Sequence, residues 1–109
     1  MTVSDLLKNS AFTALSVTDT DREISGVYIG DLLSWVMGRA PENSAWITIM
    51  SNVNVIAVAT LTDVSTVIFA EGVVPNAEII KVASEKSVNL IVSSLPSYES
   101  AMTISGMLK

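Results

Sequence analysis

The sequence predicts an α/β protein: three layers, a mainly parallel sheet flanked by helices, in a single domain spanning residues 1–109. Three observations carry that expectation. Half of the residues are hydrophobic but only 6% are aromatic, so Val, Ile, Leu, Ala and Met must fill the core, as in buried parallel sheets. Apolar runs of strand length alternate with helical segments opened by capping residues. A chain of this length also suits one hydrophobic core, since domains cluster at about 100–150 residues.

Taken in order, Val3 to Asn9 is expected as a first helix and Ala14 to Val17 as a short strand at a sheet edge. Ile24 to Ile29 (ISGVYI) reads as a strand and Gly30-Asp31 as the turn after it. Leu32 to Gly38 follows as a short helix with Leu32, Leu33, Trp35 and Val36 facing inward. Arg39 to Ser44 (RAPENS) is loop.

The stretch Ile47 to Leu61 (ITIMSNVNVIAVATL) fits two periods. Val53, Ile56, Ala57, Thr60 and Leu61 recur as on a helix face, whereas Val53, Val55, Ala57 and Ala59 alternate as on a strand. Its context decides. Ala45 to Met50 is already a strand-length run, and Ser51-Asn52 supplies helix-capping side chains. One strand of fifteen residues would far exceed the usual ~5–6. Two strands would need a tight turn whose Gly or Asn-Gly signal is missing. Strand followed by helix is the expected answer, with Thr62-Asp63 as the break.

The same grammar then repeats. Ser65 to Ala70 is a strand, Glu71-Gly72 its end, and Pro75-Asn76 the opening of a helix from Ala77 to Lys86. Asn89 to Ser93 is the next strand, and a last helix runs from Pro96-Ser97 toward Leu108, with Ser97 expected as its cap. Three successive strand-then-helix units imply a layered, Rossmann-like sheet.

Composition removes several function classes. The formal charge is −5 with six scattered basic residues, which does not suit a surface that follows nucleic-acid phosphates. With neither Cys nor His, thiolate nucleophiles, imidazole bases, disulfides and ordinary zinc sites are all missing. No metal or cofactor is expected. Asp19, Asp21 and Glu23 (DTDRE) resemble a calcium loop only superficially, because the sharp-turn glycine is missing and Arg22 interrupts. Val53 to Ala70 is near the length of a membrane span but carries Asn54 and Asp63, so no span is expected. The N-terminus lacks a basic start and an uninterrupted apolar core, reading as mature, cytoplasmic protein.

In open parallel sheets ligands bind beyond the carboxyl ends of the strands, at loops leading into helices. Four loops qualify: Gly30-Asp31, Ser51-Asn52 with Asn54, Glu71-Gly72, and Ser93-Ser94. Asp31 also suits a helix cap, and Ser51 or Asn52 another, which leaves Asn54 without a structural duty. Asp31 and Glu71 would form a carboxylate pair only if their strands were neighbours. Trp35 and Met37 are either core residues or, if exposed, anchors of a protein interface.

Over roughly Ser25 to Met107 the chain resembles the DRTGG domain family. The stretches that carry the likeness are SGVYIGDLLSWVMG, AWITIMSNVNVIAVATL, VIFAEGVVPNAEIIKVASEKSVNLIVSS and LPSYESA. The resemblance implies an α/β domain, similar also to the N-terminal domain of HPr kinase/phosphorylase. Such domains accompany CBS domains in regulated pyrophosphatases or sit within phosphate acetyltransferases, as regulatory or dimer-forming modules without catalysis of their own. The letters D-R-T-G-G do not occur consecutively here, which puts a motif-specific ligand site in doubt. With no enzymatic or CBS segment alongside, regulation would act through a separate protein.

The expected function is therefore a non-catalytic binding or regulatory module, homodimeric, using the loop edge for a small-molecule ligand or an enzyme partner. A small carboxylate enzyme built on Asp31, Glu71 and Lys81 is the alternative. A structural subunit docking through Trp35 and Met37 is a third.

Overall fold

The computed structural model describes every residue from Met1 to Lys109. Its elements are α1 (Val3–Leu7), β1 (Phe12–Ser16), β2 (Gly26–Ile29), α2 (Leu33–Arg39), β3 (Ser44–Thr48), α3 (Asn54–Thr62), β4 (Thr66–Phe69), α4 (Ala77–Glu85), β5 (Leu90–Ser93) and α5 (Ser97–Met107). The five strands form one sheet in the order β1-β5-β4-β3-β2. Neighbours from β2 to β5 are parallel, while β1 lies antiparallel on β5 at the edge. The expected mainly parallel α/β sheet is present.

Because β2, β3, β4 and β5 are laid down side by side, each crossover helix falls on the same face when the connections keep their usual right hand. Two apolar cores show this. Trp46, Val67, Phe69 and Leu90 point from the sheet toward Val36 of α2, Val55, Ile56 and Ala59 of α3, and Ile79 and Ala83 of α4. The alternate residues Ala45, Ile47, Ile68 and Ile91 meet Val3 and Leu6 of α1 and Ile104 of α5. Every residue of β3 and β4 is buried, which is why these strands read as unbroken apolar runs.

The ambiguous stretch resolves as strand then helix, although β3 stops at Thr48 and α3 starts only at Asn54. The expected caps differ in detail. Asn52 Oδ1 accepts the Asn54 amide at 2.9 Å, an Asx turn just ahead of the helix, and neither Ser51 nor Asn52 is the cap itself. Ser97 is likewise the first helical residue of α5, with Pro96 at the cap and no side-chain bond there. Sequence reasoning did not foresee the one complete capping box, at Thr2 and Asp5. The Thr2 amide and hydroxyl hold the Asp5 carboxyl below its ordinary pKa, the backbone bond being the larger cause.

Three of the four loops at the amino ends of the parallel strands use a non-glycine residue in left-handed conformation: Asn43 before β3, Asp63 before β4 and Ser87 before β5. Asn43 and Asp63 are held by Arg22, whose guanidinium donates to Asn43 Oδ1 at 2.9 Å and to Asp63 Oδ1 at 3.0 Å. Ser87 has an exposed side chain with no such partner. Ser87→Gly should therefore raise stability by about 0.5–1 kcal/mol, read as a higher urea midpoint at unchanged slope.

Candidate functional site

The carboxyl ends of β2, β3, β4 and β5 lie along one rim of the sheet, so the four loops singled out from sequence do share an edge. β3 separates β2 from β4, so the strands ahead of Asp31 and Glu71 are not neighbours and the carboxylate pair is not formed. Lys81 is exposed on α4. Geometry thus gives the alternative enzyme reading no assembled set of groups.

Asp31 has a different duty from the cap expected of it. Leu32 occupies the cap position of α2 without a side-chain bond. Asp31 Oδ1 instead accepts from Thr48 Oγ1 and from the Ile49 amide, both at 2.9 Å, tying the end of β2 to the end of β3. Gly30 supports the same junction. Its carbonyl accepts Trp46 Nε1–H at 2.8 Å, and a Cβ there would come within 3.0 Å of the Tyr28 ring and 3.2 Å of Val36. The close approach that requires glycine is to the chain's own side chains.

The β4 and β5 ends are stitched together. This is the one place where neighbouring parallel strands send the chain to opposite faces, α4 to one side and α5 to the other, the crevice where such sheets commonly take ligands. Here the amides of Glu71 and Gly72 donate to the Leu95 and Ser93 carbonyls at 2.9 and 2.8 Å, with both donors in left-handed backbone. Ser93 is fully buried, its hydroxyl 2.7 Å from Ser100 Oγ and accepting the Leu95 amide. It positions the start of α5, and only Ser94 of that pair faces solvent.

Six of the eleven exposed large hydrophobics lie along the rim, the others being Trp35 and Met37 on α2, Leu61 on α3, and Tyr98 and Met102 on α5. Ile29, Leu32, Ile49, Met50, Val53 and Val74 are all exposed large hydrophobics, and all sit at or just past the ends of β2, β3 and β4. Trp35 and Met37 on α2 are exposed as well, at 55% and 47%. The inward-facing set expected for α2 is corrected accordingly: Val36 is buried and Leu33 half-buried, while Leu32 and Trp35 face out. The helix is short and packs on α3, so only one side is covered. Arg39 lies 4.0 Å over the Trp35 ring, shielding one face of it.

Concave surface lies elsewhere. A cleft of about 400 Å³ runs between α3 and α4, and among the anticipated ligand residues only Asn54 reaches it. A second cleft, of about 280 Å³, lies at the amino ends of β4 and β5, beside Arg22, Asp63, Lys86 and Asn89. None of those four was singled out as a site residue. The legible signal was the pairing of Asn43 and Asp63 before two strands with an arginine in the preceding acidic loop.

These features define a single-sheet, mainly parallel α/β fold with exposed apolar residues along the carboxyl rim. No family model and no curated protein matches the sequence. Among solved structures, the chain is similar to the CBS and DRTGG domains of the regulatory region of Clostridium perfringens pyrophosphatase, in a crystal structure complexed with the activator diadenosine tetraphosphate. The TM-score is 0.72 at 16% identity, over 94% of this chain and 45% of that one. The chain therefore spans less than half of the matched protein's length, and at this identity the likeness is one of fold. No helix here is long and apolar enough to cross a membrane.

Proposed function

We propose that this protein is a non-catalytic regulatory module that acts as a homodimer through the carboxyl rim of its sheet. The carrying observation is the row Ile29, Leu32, Ile49, Met50, Val53 and Val74, exposed along three neighbouring strand ends and covered by no element of the chain. Contiguous exposed apolar surface marks interaction sites in folded proteins. A second copy suits such a patch, because a twofold contact needs only one self-complementary surface. Gly30, Asp31, Ser51, Asn52, Glu71, Gly72 and Ser94 would supply the polar margin, and Trp35 with Met37 the flank. The regulatory part of the reading rests on the structural neighbour, which is the regulatory region of an enzyme. An enzyme partner would then respond to the dimer.

Size-exclusion chromatography with light scattering at high micromolar concentration tests this. The parent chain should run as a dimer and Ile49→Asp as a monomer with unchanged far-UV circular dichroism. The substitution acts twice in a symmetric contact, so the dimer should weaken by at least about thirtyfold, or ~2 kcal/mol. A parent chain that stays monomeric would refute the homodimer.

A further inference from the structure

The two clefts adjoin. Thr60 and Lys86 line both, so the apolar trough between α3 and α4 lies beside the polar cleft at the amino ends of β4 and β5, and together they make a groove with Lys86 at the junction. We propose that this groove binds a compact amphipathic monoanion, its apolar body against Val53, Ile56, Ala57 and Val82 and its acid group at the Lys86 ammonium.

The size of the trough, about 400 Å³, lies within the range of small-molecule sites, which pair a mostly apolar wall with a few polar groups. Two such groups are free to act. Asn54 has no side-chain hydrogen bond, and the Thr60 hydroxyl donates only to the Ile56 carbonyl, leaving its oxygen able to accept. Lys86 supplies the charge preference. The chain's ion pairs join Met1 to Glu23, Lys8 to Asp5 and Arg22 to Asp63, and Lys86 is in none of them.

Charge also sets the upper limit. Arg22 is the second cation of the polar cleft, and its guanidinium is already committed to Asn43, the Asp63 carbonyl and the Asp63 carboxylate. Asp19 and Asp63 line the same cleft. One negative charge at Lys86 is matched, whereas further charges would face these carboxylates. A carboxylate or sulfonate on an aromatic or aliphatic body fits, and a polyphosphate does not. This site shares Val53 of the apolar row with the rim, while Ile56, Ala57, Thr60, Val82 and Lys86 lie outside it, so its test can be read independently of dimerisation.

The test is an amide NMR titration of the full chain with anilinonaphthalene sulfonate, an aromatic monoanion. Shifts are expected at Ala57, Thr60, Val82 and Lys86. Lys86→Met should weaken binding about tenfold or more, the share of one charge-assisted contact, while Lys86→Arg retains it. Ala57→Trp, which fills the trough from an exposed helical position, should abolish binding while leaving the dispersed spectrum of the fold. Tripolyphosphate at equal concentration should leave the groove resonances unmoved. Shifts confined to rim residues such as Ile49 and Met50, unchanged affinity in Lys86→Met, or tighter binding of tripolyphosphate in the groove would each overturn the proposal.

Discussion

Trp46→Ala is expected to destabilise the protein by about 3–5 kcal/mol, measured by urea unfolding followed by circular dichroism. Trp46 is completely buried in the interior strand β3, beneath the helices of one face. Truncating it opens a cavity where α2 and α3 meet the sheet. It also strips the Gly30 carbonyl of its 2.8 Å donor. A loss of this size is a large part of the ~5–15 kcal/mol that holds a typical domain together. Trp46→Phe separates the two contributions: most of the ring volume stays, the indole N–H goes, and about 1–2 kcal/mol should be lost. Trp35→Ala is the control. That ring is more than half exposed, so its removal should cost under about 1 kcal/mol, including the stacking of Arg39. Equal and large losses at both tryptophans would contradict the exposure assigned to α2.

Asn89→Ala should be the most costly of the polar substitutions, at about 3 kcal/mol. Asn89 is 4% exposed just ahead of β5, and its carboxamide is used at both ends. Oδ1 accepts the amides of Thr18 and Asp19 at 3.0 and 3.1 Å, and Nδ2 donates to the carbonyls of Asp19 and Ser65, both at 3.0 Å. Four backbone groups from the β1–β2 connection and the start of β4 are thereby satisfied by one side chain. Alanine leaves them without partners, and each buried orphan costs ~1–3 kcal/mol unless water reaches it. Asn89→Asp keeps the shape but turns an oxygen toward two carbonyls, so it should be at least as destabilising at neutral pH. A loss below about 1 kcal/mol for Asn89→Ala would show that the connection relaxes to solvent and that the network does little for stability.

The elements legible from sequence were those whose neighbours along the chain decide their state. The stretch beyond Met50 was settled by a strand-length run before it, a Ser-Asn break and a polar end at Thr62-Asp63, all between Ala45 and Asp63. Boundaries moved by one or two residues because strand ends depend on pairing. β3 stops at Thr48, where its register with Phe69 of β4 ends. Which side of a short helix is covered was not legible. Leu32, Leu33, Trp35 and Val36 are all apolar, and only the placement of α2 against α3 selects Val36 and Leu33 for burial.

The candidate rim was visible as four loops, yet the uses of its polar residues were not. Asp31, Ser93 and Asn52 each bind groups that come near only once the strands are assembled, or that lie a residue away from the expected partner. Lys86 was invisible as a site residue for a similar reason. A lysine at a helix end resembles any solvated lysine until a second helix places an apolar wall beside it.

Sequence alone determined the class of fold, because the alternation of apolar runs with capped helices and the scarcity of aromatics leave few ways to bury a core. Charge and the missing Cys and His also narrowed the chemistry without reference to shape. Strand order was decided in three dimensions: it parts the strands ahead of Asp31 and Glu71, lines up the exposed apolar strand ends and sets two clefts side by side at Lys86. The physical reason is that hydrophobic periodicity reports only which residues leave water, a property of each segment. Which groups then meet depends on how segments from distant parts of the chain pack against one another.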